Sequence, residues 1–455
     1  MESSTNTGYK QELKRVLPLS ALVFYGLAYI SLIGAFTMYG VSTVTTHGMF
    51  ALCFLIATIS MSFTALSYAK MSAVYPIAGS AYSYTQRTIN PYAGFMTGWV
   101  VLLDYALLPI TNFLLLGLYL NTMIPQIPAW VFSLFFIIVI SLINIRGIKI
   151  AAGANIVLII IQLVFLFALI VFMLKWLVSG NGAATLFSIK GIYSSAEISS
   201  IGWGTIFTST SSLCLCFLGF DAITTLAEET LEPEKNIGKA LIIACIGAGA
   251  IFVIVGYLSQ LSWPEAWKLI ESPDTGAVEL VGHVASSVMA YMFAGIYCVG
   301  CFGSGIASQS SAARLLFGMG RDKGLPKALG YVNKKYQTPV VAIIVVAAIG
   351  CISLVIDLLS IASIINFGAL LAFTMVNICV IKHYFIDGKK RSGKNIWTYL
   401  ICPAIGAIIA FVIWINLDSK AMILGLVWTA IGIIYMAIMT KGFKQPPIDI
   451  DFSEN

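Results

Sequence analysis

The run "LGFDAITTLAEETLEP", Leu218 to Pro233, poses the question that decides the fold of this chain. It follows a strongly apolar stretch, weakens any helix at Gly219, and then presents a carboxylate, Asp221. The whole chain is 59% hydrophobic and only 10% charged, so an acid in this company needs a physical reason.

The flanking sequence is that of a membrane protein. Across 455 residues the mean hydropathy is +0.92. Uncharged runs such as Val16–Met49, which holds His47, exceed the roughly 20 residues needed to span a bilayer core. Reading these runs gives twelve spans, near 16–47, 50–70, 94–122, 128–146, 151–176, 206–232, 237–261, 283–314, 339–357, 361–384, 399–417 and 422–440. No alternating apolar/polar pattern of a barrel occurs, so the spans are expected to be helices. The expected fold class is an all-α membrane protein of twelve transmembrane helices. A polar segment, 1–15, precedes the first span, and a tail, 441–455, follows the last. The first apolar run is too long for a signal-peptide core, so no cleavable signal is expected.

Basic residues set the orientation. With the N-terminus inside, all of the 26 lysines and arginines but Lys175, Lys190, Lys268 and Lys420 fall in inner segments. Both termini are therefore expected to be cytoplasmic, in a multi-pass protein of the cell membrane. The net charge of +6 then reflects topology and an anionic inner leaflet, not nucleic acid. The nine cysteines lie in apolar spans, where buried thiols behave as small hydrophobes. His47, His283 and His383 sit near span ends. Neither a metal nor a cofactor is expected, and no midplane histidine relay.

Two spans look interrupted. The first contains "YISLIGAF", where Ser31, Gly34 and Ala35 offer little bulk to hold a helix; the sixth contains "FLGFDA". If each opens a five-helix half, the halves are residues 16–178 and 206–384, of similar length, with 399–440 supplying two further helices. Interrupted segments at matching positions of two halves point to a transport site at the bilayer midplane.

Two acidic residues lie deep in spans, each at a cost of about 2.5–3.5 kcal/mol on insertion scales. Asp104 is ten residues past Gly94, about 15 Å into its helix at ~1.5 Å per residue; Asp221 is twelve before Pro233. No lysine or arginine falls in the middle of any span as read. Carboxyls so placed attract a cation, exchange a proton, or both. Glu228 and Glu229 follow two turns later, where they either form an inner gate with a nearby lysine or arginine or stand solvated at the mouth. Tyr25, Tyr29, Tyr105, Phe217, Phe220 and Tyr297 surround these positions, and aromatic faces hold ammonium groups by cation–π attraction.

Three blocks then carry a resemblance: "YPIAGSAYSYTQRTINPYAGFMTGWVVLLDY" (75–105), "FLGFDAITTLAEET" (217–230) and "GIASQSSAARLLFGMGRDKGLP" (305–326). Their order and spacing, with "INFGALLAFTMVN" (365–377), resemble the amino acid–polyamine–organocation permeases, and most of all the bacterial putrescine importers within that superfamily. The resemblance implies a LeuT-like fold: two inverted five-helix repeats plus two helices, working by alternating access around two broken helices. It implies that the breaks are Ser31–Ala35 and Gly219–Asp221, that Asp221 is the acidic position of the sixth helix, and that Pro76, Gly79, Tyr82 and Tyr84 form a structural corner.

The chain departs from the pattern in three places. "SLIGAF" has one glycine where amino acid carriers have a glycine-dense break that binds a carboxylate. Thr37 stands where putrescine importers carry an acid. The fifth span, 151–176, offers Asn155 and Gln162 where some members have a proton-coupling lysine, which leaves any proton to a carboxylate.

The function expected is thus secondary active import of a polyamine such as putrescine, coupled to protons, with import of a cationic or neutral amino acid as the alternative. The expected substrate site comprises Asp221, Asp104, Gly219, Phe220, Phe217, Ser31, Gly34, Tyr29, Tyr105 and Tyr297, with Asp221, Glu228 and Glu229 gating or coupling. An enzyme is disfavoured. "GSG" at Gly303–Gly305 is similar to a serine-protease motif, but Phe302 stands where a glycine is needed, and no midplane histidine serves as base. Partners are then the small substrate, a coupling proton and the bilayer; oligomeric state is left open.

Overall fold

The computed structural model describes residues 15–445 apart from 78, 125, 184, 272, 274–275, 322–323, 355–357 and 418. Most of segment 1–15 and the end of the tail 441–455 lie outside the described residues. The helices, in chain order, are α1 (Leu19–Ile30), α2 (Tyr39–Thr45), α3 (Phe50–Val74), α4 (Ala81–Thr88), α5 (Pro91–Met123) and α6 (Ala129–Arg146). There follow α7 (Ile148–Val178), α8 (Ser195–Cys214), α9 (Pro233–Ser262), α10 (Ala266–Leu269), α11 (Gly276–Val284) and α12 (Ser287–Arg321). The last are α13 (Val340–Gly350), α14 (Leu358–Val380), α15 (Gly393–Ile396), α16 (Cys402–Ile415) and α17 (Ser419–Met439). No strand occurs among the described residues, only an isolated bridge between Leu17 and Thr230.

Eleven helical stretches among the described residues are long and apolar enough to cross a membrane. The span expected at 339–357 appears instead as a shorter apolar helix, Val340–Leu354, and 355–357 lie outside the described residues. The span expected at 283–314 runs further, as Ser287–Arg321, which draws Arg314 inside the helix. The sixth stretch starts earlier than 206, and Gly202 kinks it at φ +79°.

Lipid is as apolar as leucine, so these helices are held together by close packing and hydrogen bonds rather than by a hydrophobic drive. Small residues make that packing possible. Along the α3–α9 seam a Cβ added to Gly249 would lie 2.4 Å from Thr58, so the helices approach where only glycine fits. α1 is enclosed by α7, α9 and α12, and α5 packs against α12 and α14. The final helix, α17, is fastened differently. Trp99 on α5 donates its indole N–H to the Trp428 carbonyl at 3.0 Å, and Trp428 returns the bond to the Trp99 carbonyl at 2.8 Å. The two indoles stack with centroids 4.7 Å apart.

Candidate functional site at two helix breaks

Helix α1 gives out at Ser31, whose φ of +55° no helix accommodates, and the chain resumes as a 3₁₀ segment, Leu32–Met38, before α2. Backbone groups freed in a bilayer must find partners, because each left unpaired costs several kcal/mol. Three other elements supply them. Ser304 of α12 donates to the Tyr29 carbonyl at 2.8 Å. Gln162 of α7 accepts from the Ile33 amide at 3.4 Å and the Ser31 hydroxyl at 3.3 Å. Cys216 donates its S–H to the Gly34 carbonyl at 3.5 Å. Ser304, in the motif similar to a protease's, therefore caps backbone here. The side chain of Asn155 lies outside the described residues.

The second break follows α8. A 3₁₀ turn, Leu215–Phe217, leads to extended Leu218, then Gly219 at φ +110°, then a longer 3₁₀ segment, Asp221–Glu229. Gly219 is required twice over. Its backbone lies in the region that side-chain-bearing residues avoid, and an added Cβ would sit 1.9 Å from Cδ1 of Tyr29. The two breaks thus touch, with the Tyr29 ring laid against Gly219. Beyond it, Thr224 and Thr225 donate to the carbonyls of Asp221 and Ala222, each at 2.7 Å.

Asp104 and Asp221 are each only 1% exposed. Tyr105 donates to Oδ2 of Asp221 at 2.7 Å, and its hydroxyl lies 3.3 Å from Ser80 Oγ. The Oδ1 atoms of both aspartates have no hydrogen-bond partner among the described residues, and neither aspartate forms an ion pair among them. Asp104 lies within electrostatic reach of Asp221, and Tyr29 and Tyr68 lie within reach of both. Leaving a buried charge uncompensated costs several kcal/mol. Either a proton or a bound cation would neutralise such a pair.

Beside the first break lies a cavity of about 70 Å³. Tyr29, Ser31, Gly34 and Tyr297 line it, together with Thr37 and Asn112. Thr37 and Tyr297 share a 2.7 Å hydrogen bond, and Tyr297 stacks on Tyr119 with centroids 4.4 Å apart.

The residues expected from sequence therefore divide. Tyr29, Ser31, Gly34 and Tyr297 face the cavity, while Asp104, Asp221, Tyr105 and Gly219 form the carboxyl cluster, and Tyr29 bridges the two. Phe217 packs against Phe252 at 5.2 Å, and Phe220 against Phe373 at 5.4 Å and Tyr68 at 5.8 Å. The sequence reading does not single out Asn112 or Thr111, and it takes Cys216 as a small hydrophobe. Thr111 had a legible signal, since seven residues past Asp104 is two turns along the same helix face.

Glu228 and Glu229 are not solvated mouth carboxylates. Glu229 pairs with Arg314 at 2.6 Å, both side chains 3% exposed, and Arg321 reaches Glu228 at 2.8 Å. Arg314 also bonds the Ser310 carbonyl at 2.9 Å and the Ser310 hydroxyl. The Glu229 carbonyl accepts the amides of Val16 and Leu17 at 2.8 and 3.0 Å. One residue thus ties the segment leading into α1 to α12. Nearby, Tyr25 donates to the Ala307 carbonyl at 2.7 Å and shares a 2.9 Å bond with Ser311. No cluster of three or more histidine, cysteine or acidic residues suited to a metal occurs among the described residues.

The model of one protein family, described as amino acid permease, matches residues 19–442. The low-affinity putrescine importer PlaP of Escherichia coli (strain K12) is 37% identical over 441 residues, covering 96% of each chain. The branched-chain amino acid permease BcaP of Bacillus subtilis (strain 168) is 25% identical over 467 residues, covering 96% of this chain and 95% of that one. The methylthioribose transporter of the same organism is 26% identical over 473 residues, covering 97% and 96%.

Proposed function

Because this chain belongs to the amino acid permease family, we propose that it is a secondary active transporter importing a small diamine such as putrescine, driven by protons through alternating access. One observation carries the reading: two fully buried carboxyls, Asp104 and Asp221, that form no ion pair among the described residues. A diamine carries two ammonium groups and no carboxylate, so it complements that pair. The similarity to a protein named as a putrescine importer supports the same substrate class.

The architecture belongs to the proposal too. It has twelve spans, with Val340–Leu354 the core of the ninth. Residues 16–178 and 206–384 are inverted repeats of a LeuT-like fold, and 399–440 are two added helices. The two touching breaks support it. Both termini are cytoplasmic, as the lysine and arginine bias favours. Asp221 is the carboxyl that exchanges the proton, Asp104 takes the second ammonium, and the Glu228 and Glu229 pairs close the inner side. Tyr29, Tyr105, Tyr297, Phe217, Phe220, Ser31, Gly34 and Gly219 complete the substrate site.

A second reading rests on the cavity at the first break. It holds Ser31, Gly34 and Thr37 and no acidic side chain among its lining, a setting that suits an amino acid better than a diamine. Radiolabelled putrescine uptake into proteoliposomes, with and without an inward proton gradient and with amino acids as competitors, separates the two. Gradient-driven uptake that only diamines compete supports the first. No putrescine uptake, with an amino acid transported instead, overturns it.

A further inference from the structure

The segment between α7 and α8 does something a plain connection between two membrane helices would not. Ala183 bonds the Leu261 carbonyl at 2.8 Å, near the end of α9. A few residues later the chain has moved one turn down that helix. The Tyr257 hydroxyl accepts the Ser188 amide at 2.9 Å and donates to the Leu186 carbonyl at 3.1 Å. These contacts lay the segment along the last turns of α9, from the Leu261 carbonyl to the Tyr257 side chain. Gly191 permits the fit, since a Cβ there would meet the Tyr257 ring at 2.5 Å.

That depth identifies the medium. α9 has 30 residues, about 45 Å of helix at ~1.5 Å each, against a hydrocarbon core of about 30 Å. Centred on that core, α9 would overhang by roughly 7 Å at each end, which would put Tyr257, five residues before Ser262, at the hydrocarbon boundary where tyrosine belts form. At this level the dipping segment exposes Phe187 (92%) and Ile189 (75%), side chains too apolar to project into water. Together with Ile192, Val253, Ile254 and Tyr257 they wall a groove of about 560 Å³. The same helix also exposes Ile243 and Ile246 further from the Ser262 end. Between Phe187 and Ile192 stands Lys190, exposed and without an ion pair among the described residues.

We propose that this groove is a phospholipid site. One acyl chain lies against Phe187, Ile189 and Ile254, and the lipid phosphate pairs with Lys190. The lipid comes from the leaflet at the Ser262 end of α9. Apolar walls with one exposed cation set between their residues in the chain match the tail and the phosphate of a lipid. They match neither a soluble metabolite nor an acidic peptide. An anionic headgroup is preferred because Lys190 meets no competing carboxylate.

The test uses the full chain, purified in mild detergent and titrated with phosphatidylglycerol, with native mass spectrometry counting bound lipids. The wild type is expected to retain one phosphatidylglycerol per chain at detergent levels that strip the rest. Ile254→Trp fills the groove and is expected to abolish that retention. Lys190→Gln is expected to weaken it roughly fivefold, the factor for one lysine at an anionic surface. Ile408→Trp, an equally bulky change on the exposed face of α16, should leave it intact and controls for general loss of lipid affinity. Unchanged retention in Ile254→Trp overturns the site. So does a dimer of the wild type that Ile254→Trp dissolves without loss of lipid, because the groove would then be filled by a second copy.

Discussion

Tyr105 gives its hydroxyl proton to one oxygen of Asp221 at 2.7 Å, while the other oxygen of that carboxyl is buried with no partner among the described residues. The carboxylate is thus oriented but only half satisfied. The proposed site would place a positive partner on that open side, and the partner's identity is what the following experiments read.

Replacing Asp221 with Asn keeps the shape and removes the charge. Uptake is expected to vanish while folded protein still reaches the membrane, as judged by size-exclusion profile and abundance. Asp104→Asn is expected to weaken a diamine much more than a monoamine of equal length. Full transport by the first variant, or equal effects in the second, would sink the two-carboxyl site.

Tyr105→Phe removes only the donor. A hydrogen bond to a charged group is worth about 1.5–3 kcal/mol, so substrate affinity should change by roughly tenfold or more. Binding measured by titration calorimetry checks this, and a variant with wild-type affinity would show that Tyr105 merely packs.

Two glycines at the breaks should behave oppositely. Gly219→Ala forces a side chain into φ +110° and onto the Tyr29 ring. The backbone strain alone is about 1–3 kcal/mol, and overpacking adds a similar amount. Gly34→Ala meets nothing nearer than 3.6 Å and should leave the melting temperature almost unchanged. Thermal unfolding in detergent compares the two, and equal losses would defeat the argument from contact.

The buried Glu229–Arg314 pair predicts non-additivity. Arg314→Met alone leaves a buried carboxylate uncompensated, at a cost of about 3–5 kcal/mol. Adding Glu229→Met should recover most of that stability. If the double variant is no more stable than Arg314→Met, the pair is not the unit proposed.

Cys216 and Cys301 line the cavity beside the first break, whereas Cys351 is exposed elsewhere. Substrate is expected to slow maleimide labelling at the first two and not at Cys351, read by peptide mass spectrometry. Equal labelling with and without substrate would remove the cavity from the transport path.

Much of this was legible in the sequence because lipid punishes exceptions. Gly219 and Asp221 stand out in an apolar run, and the helix does fail there; Ser31 and Gly34 mark the other failure. What the sequence hid was long-range. Nothing around Gln162 or Ser304 says that their polar atoms cap backbone freed more than a hundred residues away. Apolar runs fixed span ends only to within a turn or two. With Arg314 read at the edge of its span, the choice between an arginine pair and a solvated mouth stays open for Glu229, as do the partner and its burial. The division of the expected site into a cavity and a carboxyl cluster is likewise tertiary, set by how Tyr29 lies across Gly219.

The reciprocal bonding of Trp99 and Trp428 bears on Asp104, which lies five residues further along α5. Sliding α5 past α17 must break both indole bonds at once, so this pair works as a rivet. Asp104 is therefore mounted on a riveted post, whereas Asp221 stands beyond the chain break at Gly219. A diamine at the proposed site would be gripped only while the two are in register. Loosening that grip would then require no change in either charge, only a shift of the broken segment.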